Sequence, residues 1–398
     1  MKNKMKELVL FAARPPYVKH SSQTLYQTLL GICNMYRVTG GAYWRDEAAR
    51  VAALLISTQS KDGGFDIGYA FNFGLRKKKG TSSTPELYSV VALVDYKTTF
   101  DTTVADQSIK KGIQWIKENS IRMPDDSYTI PYCPKAIRET VVINGVSFAL
   151  GAIGSYLSCF KDISAEELYI KLGRFINSKI ELCEGEETAF WPYFDQKSDI
   201  PSKELKDKVD FYHQMQQIEM HTIGPLADKF TNSTALWSLY EHVRLKQDEY
   251  GYIPYANHSK YFGENAHLWG LVSFVTASLR LTHIAKDEIM KDRIKSSAVK
   301  TMEWVIDKGW NGEYFWGVVN KNGTPVGYKG YLPRSDAWVF NALSLCQVEL
   351  GEGPWTPLLD VVYKKLASCN YSGRENHSRN LRTTILANSA KIIRQIKS

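Results

Sequence analysis

Long apolar runs and paired cysteine motifs are the first features that this 398-residue sequence lacks. No apolar stretch approaches the roughly 20 residues of a membrane-spanning helix, so we expect no membrane span. The apolar run from Leu8 to Ala13 is too short for the core of a signal peptide. The six cysteines are scattered without CxxC spacing, which is typical of free, buried thiols in a reducing compartment. We therefore expect a cytoplasmic protein.

The signature motifs of several enzyme classes are missing as well. The sequence has no GxGxxG loop after a strand, no phosphate-binding P-loop and no GxSxG elbow. Three histidines, His213, His267 and His377, come near plausible site positions, but HxH, HExxH and CxxC spacings are absent. These absences argue against nucleotide binding, serine-hydrolase chemistry and a zinc site. We expect no cofactor and no metal.

Charge is present in an ordinary amount and is spread along the chain. Charged residues make up 23% of the sequence, and the net charge of +8 mildly favours an anionic partner. The dense basic run at residues 76–79 has no interleaved aromatic residues of the kind that stack on bases. We interpret it as a solvated loop and expect no nucleic-acid partner.

What the sequence does contain is a repeat of short aromatic segments, each following a helical stretch. The marker residues are spaced by 63, 63, 61 and 62 positions: Phe65, Tyr128, Trp191, Tyr252 and Tyr314. Between successive markers lie two amphipathic stretches, such as 87–96 and 104–117, with apolar residues at the helical spacing i, i+3, i+4 and i+7. Each repeat is therefore predicted to be a helical hairpin.

The number of repeats predicts how the hairpins assemble. Hairpins that cannot bury both faces alone must stack, and about six of them can close into a ring of inner and outer helices. An open solenoid is the alternative, although its repeats are usually about 34 to 47 residues long. No strand-rich block or linker marks a second domain. We predict an all-α fold, a closed (α/α)6 toroid spanning residues 1–398 as one domain, with an additional helix near 380–396.

If the inner helices all begin at one end, they follow the aromatic loops and meet in a cleft. Helix N-termini carry partial positive charge and unsatisfied amide donors, so the cleft suits carboxylates, phosphates or hydroxyl-rich ligands. Sugar rings also stack on aromatic faces, although these aromatics could instead pack the loops onto the helix ends. The predicted substrate-binding residues are Tyr69, Arg138, Asn144, Trp191, Asn265, Arg334, Asn376 and His377.

Candidate acid/base groups lie at three of these helix starts. They are Asp210, Tyr212, His213, Glu264, His267 and Asp336. Asp210 and His213 are one helical turn apart, so the carboxylate can orient the imidazole for proton transfer. The alternative interpretation is structural: Asp210 caps its helix, and the acids at the other two starts belong to acidic first turns.

One segment carries a family resemblance. AARVAALLISTQSKDGGFD, which contains Gln59 and Asp62, resembles a repeat of two groups of helical toroids. One group is the terpene cyclases and prenyltransferases, with a fainter copy here around Trp115. The other is the carbohydrate-active toroids, including unsaturated uronyl hydrolases, polysaccharide lyases and glucuronyl C5-epimerase-like proteins. The motif itself is structural, because Gln59 can bond a neighbouring helix end and the glycines allow a tight exit.

Missing motifs favour the carbohydrate-active group. The sequence lacks the DxDD acid motif expected of a class II terpene cyclase. It also lacks the set of Asp, Cys and His zinc ligands expected of a protein prenyltransferase-like subunit. We predict an enzyme that acts on an acidic, uronate-containing glycan by acid/base chemistry. Proton abstraction at C5, by an epimerase or lyase, would use Arg334 or Asn265 to neutralise the carboxylate. Glycoside hydrolysis would instead need two flanking carboxylates. An isoprenoid enzyme and a non-catalytic glycan-binding toroid are the alternatives.

Overall fold

The described part of the chain forms six consecutive helical hairpins. A computed structural model describes residues 20–68, 71–72, 76–77, 80–135, 141–185, 187–195, 208–225, 233–257, 265–285, 287–327 and 330–371. The first helices of the hairpins are α1 (Ser22–Thr39), α3 (Tyr88–Phe100), α5 (Ile143–Leu157), α7 (Phe211–His221), α9 (Leu268–Leu281) and α11 (Pro333–Leu350). The second helices are α2 (Ala42–Ser57), α4 (Asp106–Asn119), α6 (Ile163–Asn177), α8 (Ser233–Arg244), α10 (Glu288–Gly309) and α12 (Leu359–Ser368).

Short antiparallel ribbons lie in the loops between hairpins. Their strands are β1 (Phe71–Asn72) with β2 (Arg76–Lys77), β3 (Ile121–Arg122) with β4 (Tyr128–Thr129), β5 (Glu181–Leu182) with β6 (Ala189–Phe190), and β7 (Asn265–His267) with β8 (Val318–Asn320). The first three pairs lie within one loop each. The fourth pairs the residues just before α9 with the loop after α10, so it joins the loops on either side of the fifth hairpin.

The six first helices form a closed inner ring. Each odd-numbered helix packs against the next odd-numbered helix, and α11 packs against α1. Side chains seal this last contact, since Asn341 Nδ2 donates to Gln27 Oε1 at 2.7 Å and Asn34 Nδ2 donates to Ser344 Oγ at 3.2 Å. The even-numbered helices lie outside. The predicted closed toroid is therefore confirmed, while the additional helix predicted near 380–396 lies outside the described residues.

Burial follows the two rings. The inner helix α5 buries almost its whole length, with glycine, alanine and serine between large apolar residues, whereas the outer helix α6 buries one stripe. An outer helix is amphipathic, because only one of its faces is buried. An inner helix is buried on every side, so its residues are apolar or its polar side chains have partners. None of the helices in the described ranges combines the length and apolar character of a membrane-spanning helix. All six cysteines are free thiols.

The glutamine of the repeat acts as expected. Gln59 Nε2 donates to the carbonyl oxygens of Gly63, at 2.8 Å, and Ser108, at 2.9 Å, so it joins its own loop to the next outer helix. Three repeats later, Gln247 Nε2 donates to Ser297 O at 2.8 Å and Thr301 Oγ1 at 2.7 Å in α10. The prediction that Gln59 bonds a neighbouring helix end is confirmed.

A glycine pair tests how tightly these loops approach the outer helices. Gly251 has a φ of +103°, and a Cβ added there would lie 2.2 Å from the carbonyl oxygen of Lys300. Gly312 has a φ of +97° with nothing within 4 Å of an added Cβ. We expect Gly312→Ala to cost about 1 kcal/mol of backbone strain. Gly251→Ala should cost about 3 kcal/mol, because the helix must also move.

Urea unfolding of both variants and the wild type measures these losses. Equal losses in the two variants would show that the loop after α8 does not press against α10 as described.

Candidate active site

The inner helices begin at the same end of the ring. Residues in or near the first turns of neighbouring inner helices contact one another, with ring centroids 5.1 Å apart for Tyr26 and Tyr88 and 6.1 Å apart for Trp269 and Trp338. At the opposite end, Arg37 in the last turn of α1 pairs with Asp95 of α3. The N-termini of the inner helices therefore converge at one end of the ring, which we call the cleft end.

Asp210 occupies the start of α7 and has two roles at once. One carboxylate oxygen accepts the backbone N–H of His213 at 3.1 Å, which caps the helix. The other oxygen lies 2.7 Å from His213 Nδ1 and 2.8 Å from Lys208 Nζ. Burial alone would raise the pKa of Asp210, but the neighbouring charges of His213 and Lys208 lower it well below its usual range. Capping and orientation of the imidazole, stated above as alternatives, are thus combined in one side chain.

Lys208 lies between two tyrosine rings. Its ammonium nitrogen is 4.2 Å from the ring centroid of Tyr193 and 4.8 Å from that of Tyr255. The same nitrogen donates to the Tyr255 hydroxyl at 3.1 Å. Because the Lys208 side chain is only 7% exposed, its charge is balanced by Asp210 and by the two aromatic faces rather than by water.

His267 ends strand β7 and directly precedes α9. Its backbone is fixed opposite Val318 in the β7–β8 ribbon, and its ring lies 5.0 Å from the Tyr255 ring. Burial lowers the pKa of His267 to about 4, with Asp210 acting against the shift and Arg334 acting with it. The imidazole is therefore neutral near pH 7 and has a lone pair that can accept a proton.

Trp269 joins these groups into one cluster. Its indole ring lies 5.8 Å from the His213 ring and 6.3 Å from the His267 ring, and the Arg334 guanidinium carbon lies 5.3 Å over it. We call Lys208, Asp210, His213, His267, Trp269 and Arg334 the cleft cluster. Its members come from three successive repeats.

Three buried aromatic residues, Tyr26, Tyr88 and Trp338, lie next to the cleft cluster. Trp338 contacts Trp269 and lies 6.2 Å from Tyr26 and 6.0 Å from Tyr88. The Tyr88 hydroxyl donates to the fully buried Glu219 at 2.7 Å. Buried aromatic rings therefore fill the interior of the ring next to the cleft cluster.

Four other predicted residues, which are described, lie outside the cleft cluster. The Tyr212 hydroxyl donates to Ile253 O at 2.8 Å, and Trp191 Nε1 donates to Ile176 O at 3.2 Å. Asn144 is buried in the first turn of α5, and Asn265 is half-buried opposite Asn320 in the β7–β8 ribbon. The hydrogen bonds of Tyr212 and Trp191 fasten loops to helices.

Asp336 is also turned toward a loop. It is fully buried in the first turn of α11, where Oδ1 accepts the backbone N–H of Phe315 at 3.0 Å. Burial raises the pKa of Asp336 well above its usual range, with the Phe315 amide acting against the shift. A carboxyl group in this position stabilises the loop between α10 and α11.

Some predictions lie beyond the described residues: Tyr69, Arg138, Glu264, Asn376 and His377. In the part of the chain that the structure describes, no three His, Cys, Asp or Glu side chains are placed to share a metal ion.

Two members of the cleft cluster, Lys208 and Trp269, were not predicted from the sequence. Lys208 carries no motif that distinguishes it from other lysines. Trp269 could have been predicted, because it follows the candidate His267 by two residues in GENAHLWG.

No protein-family model matches this sequence, and no curated protein matches it. Solved structures do resemble it. Cellobiose 2-epimerase from Spirochaeta thermophila has a TM-score of 0.59 at 12% identity, over 82% of this chain and 86% of that chain. D-mannose isomerase has a TM-score of 0.59 at 12% identity, over 82% and 87%. Unsaturated glucuronyl hydrolase specific for heparin has a TM-score of 0.57 at 10% identity, over 82% and 85%.

The likeness is one of fold. These structural neighbours are (α/α)6-toroid carbohydrate-active enzymes, the second of the two groups that the Gln59 segment resembles. At these identities the match supports the architecture of the ring, and it assigns no residue of the cleft.

The pH dependence of stability tests the burial of His221, which lies beside the predicted substrate-binding residue Trp191. His221 stacks on Trp191 with ring centroids 5.2 Å apart, and burial lowers its pKa to about 4. Between about pH 6.5 and pH 4, His221 binds a proton in the unfolded chain but not in the folded protein. The free energy of unfolding therefore falls as the pH falls. This one group should remove about 3 kcal/mol over that interval.

His221→Phe keeps a flat ring against Trp191 and removes the titration. Urea unfolding from about pH 7 to pH 4 should show the wild type losing more stability than the variant, by about that amount. Parallel losses in the two proteins would mean that His221 is accessible to protons in the folded state.

Proposed function

We propose that this protein is a carbohydrate-active enzyme that moves a proton at a sugar carbon next to a carbonyl or carboxylate group. The observation that carries the proposal is the convergence of two imidazoles and one guanidinium on the Trp269 indole. His267 is neutral near pH 7, and His213 is oriented by Asp210. These are the parts that proton abstraction requires.

The proposed step balances within the cleft. His267 takes the proton from the carbon, and the electron pair of the C–H bond moves into the adjacent carbonyl to form an enolate oxygen. Arg334 stabilises the charge on that oxygen. His213, in its imidazolium form, gives a proton to the opposite face of the same carbon while the enolate oxygen becomes the carbonyl again, which inverts that carbon. To move the carbonyl instead, the hydroxyl on that carbon passes its proton to the enolate oxygen, and His213 protonates the neighbouring carbon. His267 then loses its proton to water and His213 regains one.

The walls of the cleft support a sugar as substrate. Trp269 is half-buried and offers an apolar face on which a sugar ring can stack, while Tyr255 lies beside His267. Structural neighbours named as an epimerase and an isomerase of sugars agree with this class. Arg334 suits the carboxylate of a uronate as well as a carbonyl oxygen, so the predicted uronate-containing glycan remains one of the proposed substrates.

Hydrolysis is supported less well. A glycosidase places two carboxyl groups on either side of the scissile bond. Asp210 is engaged by Lys208 and His213, and Asp336 is engaged by the Phe315 amide. Glu86, another buried acid near a helix start, accepts from Ser83 and from Gln23.

The rival classes make different demands on the cleft. An isoprenoid cyclase needs a dry cavity lined by aromatic and aliphatic groups, and a passive binding toroid needs no convergent acid/base groups. The charged cleft cluster favours a catalytic, polar site over both.

The test is exchange of solvent deuterium into candidate sugars. Neutral reducing mono- and disaccharides and uronate oligosaccharides are incubated with the protein in D2O, and C–D formation is followed by NMR and mass spectrometry. His267→Asn and His213→Asn should each lower the exchange rate by about 10²- to 10⁴-fold, because each removes one proton-transfer group. His283→Asn, a change on the exposed surface, is the matched control and should exchange at the wild-type rate.

Three outcomes can be told apart. Exchange with retention of all bonds supports an epimerase or isomerase, and exchange with ultraviolet absorbance of an unsaturated uronate supports a lyase. New reducing ends without exchange, or full exchange in both histidine variants, would overturn the proposal.

A further inference from the structure

We infer that Lys208 is a positioning residue of the cleft: by neutralising Asp210 it makes His267 harder to protonate, so the imidazole stays ready to take up a proton down to a lower pH. The catalytic consequence rests on the proposed function. The electrostatic relation between the three side chains does not, and it can be measured without any substrate.

Lys208 and His213 share one carboxylate oxygen. The ammonium nitrogen lies 2.8 Å from Asp210 Oδ2, and His213 Nδ1 lies 2.7 Å from the same atom. Asp210 is 1% exposed, so water screens its charge poorly. Without Lys208, the carboxylate would act with its full negative charge on the imidazoles around it.

Tyr255 joins Lys208 to His267, since its hydroxyl accepts from Lys208 at 3.1 Å and its ring lies 5.0 Å from the His267 ring. The charged or titratable groups that act on His267 are Asp210 and His213 at the start of α7, Lys208 just before α7, and Arg334 of α11. Burial is the largest cause of the low pKa of His267, about 4, and the Arg334 and Lys208 charges add to it. Of these groups Asp210 alone is negative, and it alone among them favours the imidazolium. Burial therefore causes most of the shift in the pKa of His267, and the balance between Lys208 and Asp210 adjusts it.

The surroundings of Lys208 are built for an ammonium group. The Tyr193 and Tyr255 rings present their faces to it, and the Tyr255 hydroxyl oxygen accepts from it. Asp210 alone would be enough for a simple ion pair. The second and third contacts hold the cation at a fixed distance from the carboxylate, which a flexible surface lysine would not keep.

The experiment is an NMR titration of the His267 imidazole in the full chain, with the signal assigned by its loss in His267→Asn. Lys208→Met removes the cation, and Lys208→Gln removes the charge while keeping a polar end in case the first variant does not fold. Either should raise the His267 midpoint by about one unit or more, because an unbalanced carboxylate nearby favours the protonated ring. Lys208→Arg should restore the wild-type midpoint.

A second lysine serves as the matched control. Lys179 pairs with Asp195 at 2.8 Å and lies over the Phe175 ring, so Lys179→Met removes an ion pair and a cation–aromatic contact of the same kind elsewhere. It should leave the His267 midpoint where it is. An unchanged midpoint in a folded Lys208→Met or Lys208→Gln protein would overturn the inference.

The activity profile separates this inference from the proposed function. If both hold, the acidic limb of the pH profile of kcat/KM for deuterium exchange moves upward in Lys208→Met by the same amount as the His267 midpoint. If the Lys208 variants shift the His267 midpoint but the wild type exchanges no sugar proton, the inference about Lys208 stands and the proposed function is contradicted. If the wild type exchanges sugar protons but the Lys208 variants leave the midpoint unchanged, the proposed function stands and the inference about Lys208 is contradicted.

Discussion

The contact between α1 and α11 is the constraint on which the rest of the structure depends. Helical hairpins of this length bury one face on their partner and need neighbours on both sides. Packing the last inner helix on the first gives each of the described hairpins two neighbours. Closure also brings six helix N-termini to one end of the ring, where groups that are far apart in the sequence meet.

Burial on every side makes the polar residues of the inner ring costly unless they are paired. Buried charge needs a partner of opposite sign or several hydrogen bonds. Asp210 has Lys208 and His213, and the buried Glu219 accepts from Tyr88 and from Arg280 Nε at 2.8 Å. Such pairs fix the cleft side chains before any ligand arrives, and a catalytic site gains from that preorganisation.

The sequence predicted the fold better than the site. Helical period and repeat spacing report directly on hairpins, and the Gln59 contact follows from the motif. The direction in which a side chain points at a helix start depends on how the loops pack, and the local sequence pattern does not predict that packing. Asp336 and Trp191 therefore satisfy loop and backbone groups instead of joining the cleft cluster. Lys208 gave no local signal, because its significance comes from two tyrosines and a carboxylate assembled by the ring.

Ring closure is tested most directly by native-state hydrogen exchange of the inner helices. In a closed ring, α1 and α11 have neighbours on both sides, and their central amides should exchange as slowly as those of α5 and α7, through global unfolding. In an open array the end repeats fray first. Faster exchange confined to α1 and α11, at opening free energies well below those of α5 and α7, would contradict the closed ring and the cleft that it forms.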